Sequence, residues 1–403
     1  MDLDEFRRTL DRWLDDNADE LAPSHRGAGT LDEHMAQLSK VKRLAYDAGW
    51  MRWGWPERVG GLGGSALLRG YLGEALTTRD LVEPGLYSMT EVLAPTMIDF
   101  APAALAAEMV PRLLRGDETW CQGFSEPGTG SNLAALTCRA TLIEGRPPWG
   151  ERSEGPHVAE EGGPAGRSPG EKYWVVSGQK VWTSLAQYAQ RCVLLTRTST
   201  VESAHRGITA LFVDMDTPGI TVRPLETMHG VAEFSEVFFD DVAVPFERTL
   251  GGEGQGWSVA MDLLPYERST ALWHRGAFLH HRLDQLVAHV AQGAVDPSRL
   301  GEVVQQVIAF RARSRATQYR LHAGERLGAE TSIDKILLAT AEQALFDLAL
   351  DGLSEEIVLG DDDGAEHWRS EFLYSRAATI YGGSAEIQRN IVARRLLDLG
   401  PDR

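Results

Sequence analysis

Cysteine is scarce in this chain of 403 residues, occurring only at Cys121, Cys138 and Cys192. Three scattered cysteines are too few for a disulfide framework or a zinc site, so we interpret them as small buried apolar residues. The eleven histidines show no metal-ligand spacing such as HExxH, so we expect no metal site.

Long apolar runs and positive charge are also lacking. No run is long enough to span a membrane. The N-terminal stretch MDLDEFRRTLDRWLDD is charged and amphipathic, unlike a signal peptide, so a cytoplasmic location is predicted. The formal net charge of −18 argues against a broad surface for nucleic acid or for an anionic membrane. A local basic site for an anionic ligand remains compatible with this charge.

The residues that are present predict an α+β fold in three parts. Residues 1–118 carry helical periodicity and predict an N-terminal helical domain. Residues 119–250 contain short runs rich in β-branched and aromatic residues, typical of a middle β domain built as a small barrel or sandwich. Residues 251–403 return to helical patterns and predict a four-helix-type bundle, with a kink at Pro265 and final helices at 368–380 and 385–399.

One segment inside the β domain differs from its surroundings. Residues 144–171 are rich in glycine, proline and glutamate and nearly devoid of aliphatic side chains. Such a segment buries too little apolar surface to offset the entropy lost on ordering, so it is interpreted as a mobile insertion.

The stretch Trp120–Asn132, WCQGFSEPGTGSN, is the strongest local signal for a binding site. Its glycines allow a bulky ligand to approach the backbone, and Ser125 and Ser131 offer hydroxyl groups. On composition alone, a surface turn between strands explains the same residues equally well.

Six stretches together carry a family resemblance: WPERVGGLGG, GFSEPGTGSN, GQKVWTSLAQ, FSEVFFDDVAVP, GGEGQGWSVAM with YER, and IYGGSAEIQRNIVARRLL. In this order they resemble the acyl-CoA dehydrogenase family over nearly the whole chain. The resemblance implies FAD as cofactor and an acyl-CoA or acyl-carrier thioester as substrate. It also implies an electron-transfer flavoprotein or similar acceptor, and a homodimer or homotetramer.

The resemblance assigns the cofactor to three places. The first loop contributes Gln122, Phe124, Ser125, Gly130 and Ser131, and the VWTS stretch contributes Trp182, Thr183 and Ser184. Trp182 is expected against the flavin, although a strand tryptophan that fills the core is the alternative. Ser384 also has the position of an N-cap of the last helix, and the resemblance implies that it and Glu386 contact FAD.

The family needs a carboxylate base for the α-proton of the thioester. Its usual glutamate, in a YEGT motif, corresponds here to Gly382 in Tyr381-Gly382-Gly383-Ser384, and glycine has no basic side chain. A minority of the family, including the isovaleryl-CoA type, carries the glutamate in an ER pattern that matches Glu267-Arg268. Glu267 is therefore the predicted base, the alternative being a helix-surface carboxylate paired with Arg268 or Arg275.

The remaining substrate contacts follow from the same resemblance. The backbone N–H of Gly382 is expected at the thioester carbonyl, and Ser131, Arg268 and Gly383 are expected to bind substrate. Two other functions stay open on this fold: a flavin monooxygenase or oxidase, and a non-catalytic subunit of a hetero-oligomer.

Overall fold

The structure, a computed structural model, describes residues 1–25, 29–145, 172–290 and 295–400. Within them helices come first, a β region follows, and helices end the chain, which confirms the predicted α+β class. The predicted insertion, residues 144–171, lies outside the described residues except for Glu144 and Gly145. The predicted domain limits after residues 118 and 250 fall between secondary-structure elements.

Among the described residues of the N-terminal part there are six helices: α1 (Leu3–Asp16), α2 (Ala18–Leu21), α3 (Leu31–Asp47), α4 (Ala66–Thr77), α5 (Pro84–Phe100) and α6 (Ala103–Arg115). Three begin at a side chain that accepts a hydrogen bond from a backbone N–H of the first turn, namely Asp2 for α1, Thr30 for α3 and Ser65 for α4. α5 begins at a proline, which the first turn tolerates because its N–H would be unpaired there.

Eight strands follow in the described part of this region: β1 (Trp120–Gly123), β2 (Arg139–Glu144), β3 (Lys172–Ser184), β4 (Arg191–Arg197), β5 (Ile208–Asp214), β6 (Ile220–Leu225), β7 (Phe234–Pro245) and β8 (Thr249–Leu250). They form one mixed sheet in the order β6-β7-β3-β2-β4-β5-β8, with β1 parallel to β4. Alternate residues of β4 enter different cores. Val193 packs with the helices, whereas Leu194 packs with apolar side chains of the sheet itself.

Seven helices form the C-terminal part, as far as the structure describes it: α7 (Gly256–Glu267), α8 (Thr270–Val290), α9 (Pro297–His322), α10 (Thr331–Gly352), α11 (Ser354–Leu359), α12 (Asp363–Ser375) and α13 (Ala385–Arg395). The predicted irregularity at Pro265 is a helix break, because α7 ends two residues later and α8 begins at Thr270. α12 ends at Ser375, five residues before the predicted end, because a series of turns with Gly382 and Gly383 at positive φ follows it.

One apolar core joins the three parts of the chain. Side chains of α5 and α6 pack with β1, β4, β5 and α7 in a single cluster that includes Met97, Phe212 and Leu263. This core fixes α7, and hence its C-terminal end, against the first strands of the sheet. In the part of the chain that the structure describes, no helix is long and apolar enough to cross a membrane.

Candidate active site

Glu267 and Gly382, which are far apart in sequence, are neighbours in the fold. A Cβ atom built on Gly382 would lie 2.9 Å from Oε1 of Glu267. The carboxylate of Glu267 therefore reaches the position from which a side chain at residue 382 would project. The sequence predicts this arrangement, in which Glu267 takes the place of a glutamate base at position 382.

The break between α7 and α8 places the Glu267 side chain. Pro265 has no N–H for the ladder of α7, and the N–H of Arg268 closes the helix on the carbonyl of Leu264 at 3.1 Å. Glu267 is thus the last residue of α7 and is only half-buried. On the sheet side, Nε2 of Gln122 lies 3.4 Å from Oε2 of Glu267, so β1 borders the same site.

The two arginines of the alternative interpretation have other partners. Nε of Arg268 donates to the carbonyl of Gly382 at 3.0 Å. Arg275 pairs with Glu342 at 2.9 Å and with Glu371 at 2.6 Å. Among the described residues, no lysine, arginine or histidine nitrogen lies within ion-pair distance of Glu267.

The turn at Gly382-Gly383 is held through its carbonyl groups. Gly382 and Gly383 have φ of 63° and 91°, a region that favours glycine. Nε2 of the buried Gln388 donates to both carbonyls, at 3.0 and 3.1 Å. In the described part of the chain nothing accepts a hydrogen bond from the N–H of Gly382, which leaves that donor available to an incoming oxygen.

Lys335 of α10 also borders this turn, and the sequence analysis missed it. Its side chain is buried, its Cε lies 3.2 Å from the Cβ position of Gly382, and its Nζ donates to the carbonyl of Ala378 at 2.5 Å. Burial lowers the pKa of Lys335 to about 8, although the carboxylates of Glu342 and Glu267 oppose that shift. A lone lysine in a helical pattern carries no local signal of such a position.

A buried ion pair shapes the glycine-rich loop after β1. Oε1 of Glu126 lies 2.8 Å from Nζ of Lys180, and both side chains are almost fully buried. The same carboxylate accepts hydrogen bonds from the N–H groups of Thr137 and Cys138, at 2.7 and 2.8 Å. Burial alone would raise the pKa of Glu126, but Lys180 and these N–H donors hold it below its usual range. Glu126 was also missed, because its role depends on β3.

Trp182 stands out by its exposure and by its backbone. Its φ is 59° and its side chain is 60% exposed, unusual for a tryptophan. A bulge in β3 between Lys180 and Thr183, opposite β7, produces this conformation. The interpretation of Trp182 as a core-filling residue is therefore wrong.

The other predicted cofactor residues described here lie either in the loop after β1 or at the start of α13. Ser125 accepts a hydrogen bond through its carbonyl from the N–H of Val181 at 2.9 Å, which joins the loop to the strand that carries Trp182 and Ser184. Phe124 is buried, whereas Gly130 and Ser131 are exposed. Ser384 caps α13 by accepting from the N–H of Ile387 at 3.4 Å. Two hydrogen bonds lower the pKa of the exposed Glu386 side chain. The first is with the backbone of Glu386 itself, and the second is with the side chain of Ser384.

Four observations show that these residues fit a flavin. The hydroxyl of Thr183 is buried and has no hydrogen-bond partner among the described residues. The face of Trp182 is accessible, and a Cβ at Gly130 would meet nothing within 4 Å, so the loop is open there. The N-terminus of α13, capped by Ser384, presents N–H groups suited to an oxygen-rich ligand.

Comparison with known families covers nearly the whole chain. The acyl-CoA dehydrogenase N-terminal domain matches residues 2–117, the middle domain residues 121–242 and the C-terminal domain residues 254–397. The chain belongs to the acyl-CoA dehydrogenase family, a family of flavoprotein oxidoreductases.

Individual relatives agree with this assignment. The acyl-CoA dehydrogenase IpdE1 of Mycobacterium tuberculosis (strain ATCC 25618 / H37Rv) is 35% identical over 99% of this chain and 98% of its own length. Among solved structures, the Tcur3481-Tcur3483 steroid ACAD superposes with a TM-score of 0.76 at 22% identity, covering 99% of this chain and 96% of its own. The ChsE4-ChsE5 complex of Mycobacterium tuberculosis gives a TM-score of 0.74 at 24% identity, covering 99% and 98%. These two structures support the fold.

Proposed function

We propose that this protein catalyses the FAD-dependent α,β-dehydrogenation of an acyl thioester, with Glu267 as the base. The observation that carries the proposal is the position of the Glu267 carboxylate, 2.9 Å from the place where a Cβ of residue 382 would be. Family members with a glutamate at that position use it as the base. A carboxylate that reaches the same point from α7 supplies the same chemistry.

The reaction removes two hydrogens from adjacent carbons of the acyl group. The α C–H bond breaks, its proton passes to a carboxylate oxygen of Glu267, and its electron pair forms the new C=C bond. The β-hydrogen departs with its electron pair, and bound FAD supplies the acceptor for it. The free N–H of Gly382 would donate to the thioester oxygen while negative charge develops there.

The cofactor would be held by the loop after β1, the bulge of β3 and the start of α13. Gln122, Phe124, Ser125, Gly130 and Ser131 form the first part of this site. Trp182, Thr183 and Ser184 form the second, with Trp182 against the flavin and Ser184 near its reactive nitrogen. Ser384 and Glu386 form the third, where the helix N-terminus favours oxygen-rich groups.

Substrate contacts are proposed for Ser131, Arg268 and Gly383. Arg268 also has a positioning role in this proposal. Its Nε bonds to the carbonyl of Gly382, which holds the turn that carries the N–H of Gly382.

The direct test is flavin reduction by the variant Glu267→Gln. Glutamine keeps the size of the side chain and the hydrogen bond to Gln122 but loses the basicity. Anaerobic mixing with a panel of acyl-CoAs should bleach the flavin of the wild type. In the variant we expect bound FAD but a rate lower by a factor on the order of 10⁴, at the upper range for general bases.

The exposed Glu302 of α9 provides the matched control, because Glu302→Gln changes a carboxylate outside the site. A reduction rate for Glu267→Gln within a few-fold of this control would remove Glu267 from the mechanism. Rapid reoxidation of the reduced flavin by dioxygen would instead favour the oxidase or monooxygenase alternative.

Assembly through the C-terminal helices is part of the proposal. Large apolar side chains are exposed in this region, with exposed fractions of 52% at Ile308, 67% at Ile380 and 61% at Leu397. Such surface favours association into a dimer or a dimer of dimers with closed symmetry. Sedimentation of the FAD-loaded protein as a stable monomer would contradict this. The electron acceptor is proposed to be an electron-transfer flavoprotein or a similar protein.

A further inference from the structure

Lysine is used sparingly in this protein, and mostly in its interior. The sequence contains five lysines among 40 basic residues, the rest being arginines. Three of the five, Lys42, Lys180 and Lys335, are buried. Arginine keeps its charge and presents a broad planar fork, whereas lysine carries a compact charge on a slender chain. Because lysine is rare in this protein, the contacts of each buried lysine are informative.

Lys335 is the buried lysine beside the proposed base. Its Nζ lies 3.7 Å from the centre of the Tyr381 ring and donates to the carbonyl of Ala378 at 2.5 Å. These contacts join α10 to both ends of the turn that precedes Gly382. Cε of Lys335 lies 3.2 Å from the Cβ position of Gly382, and Oε1 of Glu267 lies 2.9 Å from the same position. The two side chains therefore flank the same small space.

We propose that Lys335 is a positioning residue for the proposed base: it holds the 378–382 turn against α10 and keeps a positive charge beside the carboxylate of Glu267. The inference rests on the proposed function of Glu267. In the resting site the ammonium partly balances the carboxylate. The lysine also keeps the turn that carries the N–H of Gly382 in place before substrate binds, so that this donor needs no reorganisation during proton removal.

The charges around Lys335 are distributed over several elements. The titratable and charged groups that face it are Glu342 of α10, Glu267 of α7, Arg268 after α7, Arg275 of α8 and Tyr381 of the turn. Arg275 is already paired with Glu342 and Glu371, and Arg268 is bonded to the carbonyl of Gly382. Lys335 itself has no carboxylate at ion-pair distance among the described residues, so its charge is not neutralised by a single partner.

The test uses the FAD-loaded protein with ¹³C-labelled lysine and follows each lysine Cε signal as pH is raised. Five lysines give at most five signals, and the spectrum of Lys335→Arg identifies the one from Lys335. In the wild type we expect a midpoint of about 8. In Glu267→Gln the midpoint should be lower, because the carboxylate that favours the charged lysine is gone. Glu302→Gln should leave it unchanged.

A kinetic comparison separates positioning from simple support of the fold. With the acyl-CoA that bleaches the wild-type flavin, Lys335→Met should reduce the flavin about tenfold more slowly or worse. Lys335→Arg, which keeps a charge, should recover most of the rate.

The outcomes for this inference and for the proposed base are distinguishable. A Lys335 signal with the same midpoint in wild type and Glu267→Gln overturns the inference, even where Glu267→Gln abolishes flavin reduction. Equal rates for Lys335→Met and Lys335→Arg also overturn it. A normal rate of flavin reduction in Glu267→Gln overturns the proposed function and, with it, the proposed role of Lys335.

Discussion

Removal of Lys180, the buried lysine of β3 that pairs with Glu126 in the loop after β1, should be costly. In Lys180→Met the carboxylate of Glu126 keeps its bonds from the N–H groups of Thr137 and Cys138 but loses the cation at 2.8 Å. The carbonyl of Phe124 also loses the hydrogen bond from Nζ, at 3.2 Å. The change thus leaves the Glu126 carboxylate almost fully buried, with hydrogen bonds from neutral donors only.

The expected loss in the free energy of unfolding is about 3 kcal/mol, the low end of the range for a buried ion pair that loses one partner. The remaining donors and the nearby charge of Arg197, which interacts electrostatically with Glu126, limit the penalty. The double variant Glu126→Gln with Lys180→Met removes both charges. We expect it to lose only about 1–2 kcal/mol, because no unpaired charge is left in the interior.

Urea unfolding followed by circular dichroism measures both variants, with FAD affinity as a second readout because the pair holds the loop that begins the proposed cofactor site. Below pH 4.5, the ordinary pKa of the carboxyl, the unfolded state binds its proton before the folded state does. The wild type should therefore lose stability as pH falls through the lower, folded pKa, more steeply than the double variant. A double variant as unstable as Lys180→Met would refute the argument from unpaired charge.

Three further results are expected. Trp182→Gly removes an exposed side chain from a backbone with φ of 59°, so the apoprotein should unfold within about 1 kcal/mol of wild type. Its FAD affinity, measured by flavin fluorescence, should fall at least tenfold; an unchanged affinity would remove Trp182 from the cofactor site. Burial, with help from Glu371, raises the pKa of Glu233 to about 7 from its usual 4.5, so the unfolded state releases this proton first and stability falls as pH rises across that window. Glu233→Gln should therefore be more stable than wild type in denaturation at pH 8 but not at pH 4, and equal differences at both pH values would count against this linkage. Finally, Glu144 and Lys172 are paired across β2 and β3 with an ion pair of 3.1 Å, so a two-residue Asn-Gly turn in place of residues 145–171 should close a regular hairpin. A fall of many degrees in the melting temperature would contradict that expectation.

Helix positions were largely predictable from local patterns. α13 begins at Ala385, the predicted residue, because Ser384 caps it, although the helix ends at Arg395, four residues before the predicted end. The end of α12 was not predictable from local patterns, because the residues from Arg376 to Ile380 are compatible with a helix by themselves. Their turns are stabilised from outside, by the bond from Lys335 to Ala378.

Some features of the candidate site are also visible in the sequence, whereas others depend on the fold. The lack of a side-chain base at Gly382 is visible in sequence, and so is a glutamate next to a helix end broken by proline. The partners of that glutamate are not visible, since Gln122 comes from β1 and Lys335 from α10. The exposure of Trp182 was equally hidden, because it depends on how β3 is registered against β7.

By itself the sequence determined the order of helices and strands, the place of the glycine turns and the absence of a side-chain base at residue 382. Each of these depends on interactions between residues close together in the chain. Only the tertiary structure decided that Glu267 meets Gly382, that Lys180 neutralises Glu126 and that Lys335 borders the proposed base. Buried charges are stabilised by groups from other elements, and which elements meet is settled by the packing of the shared core.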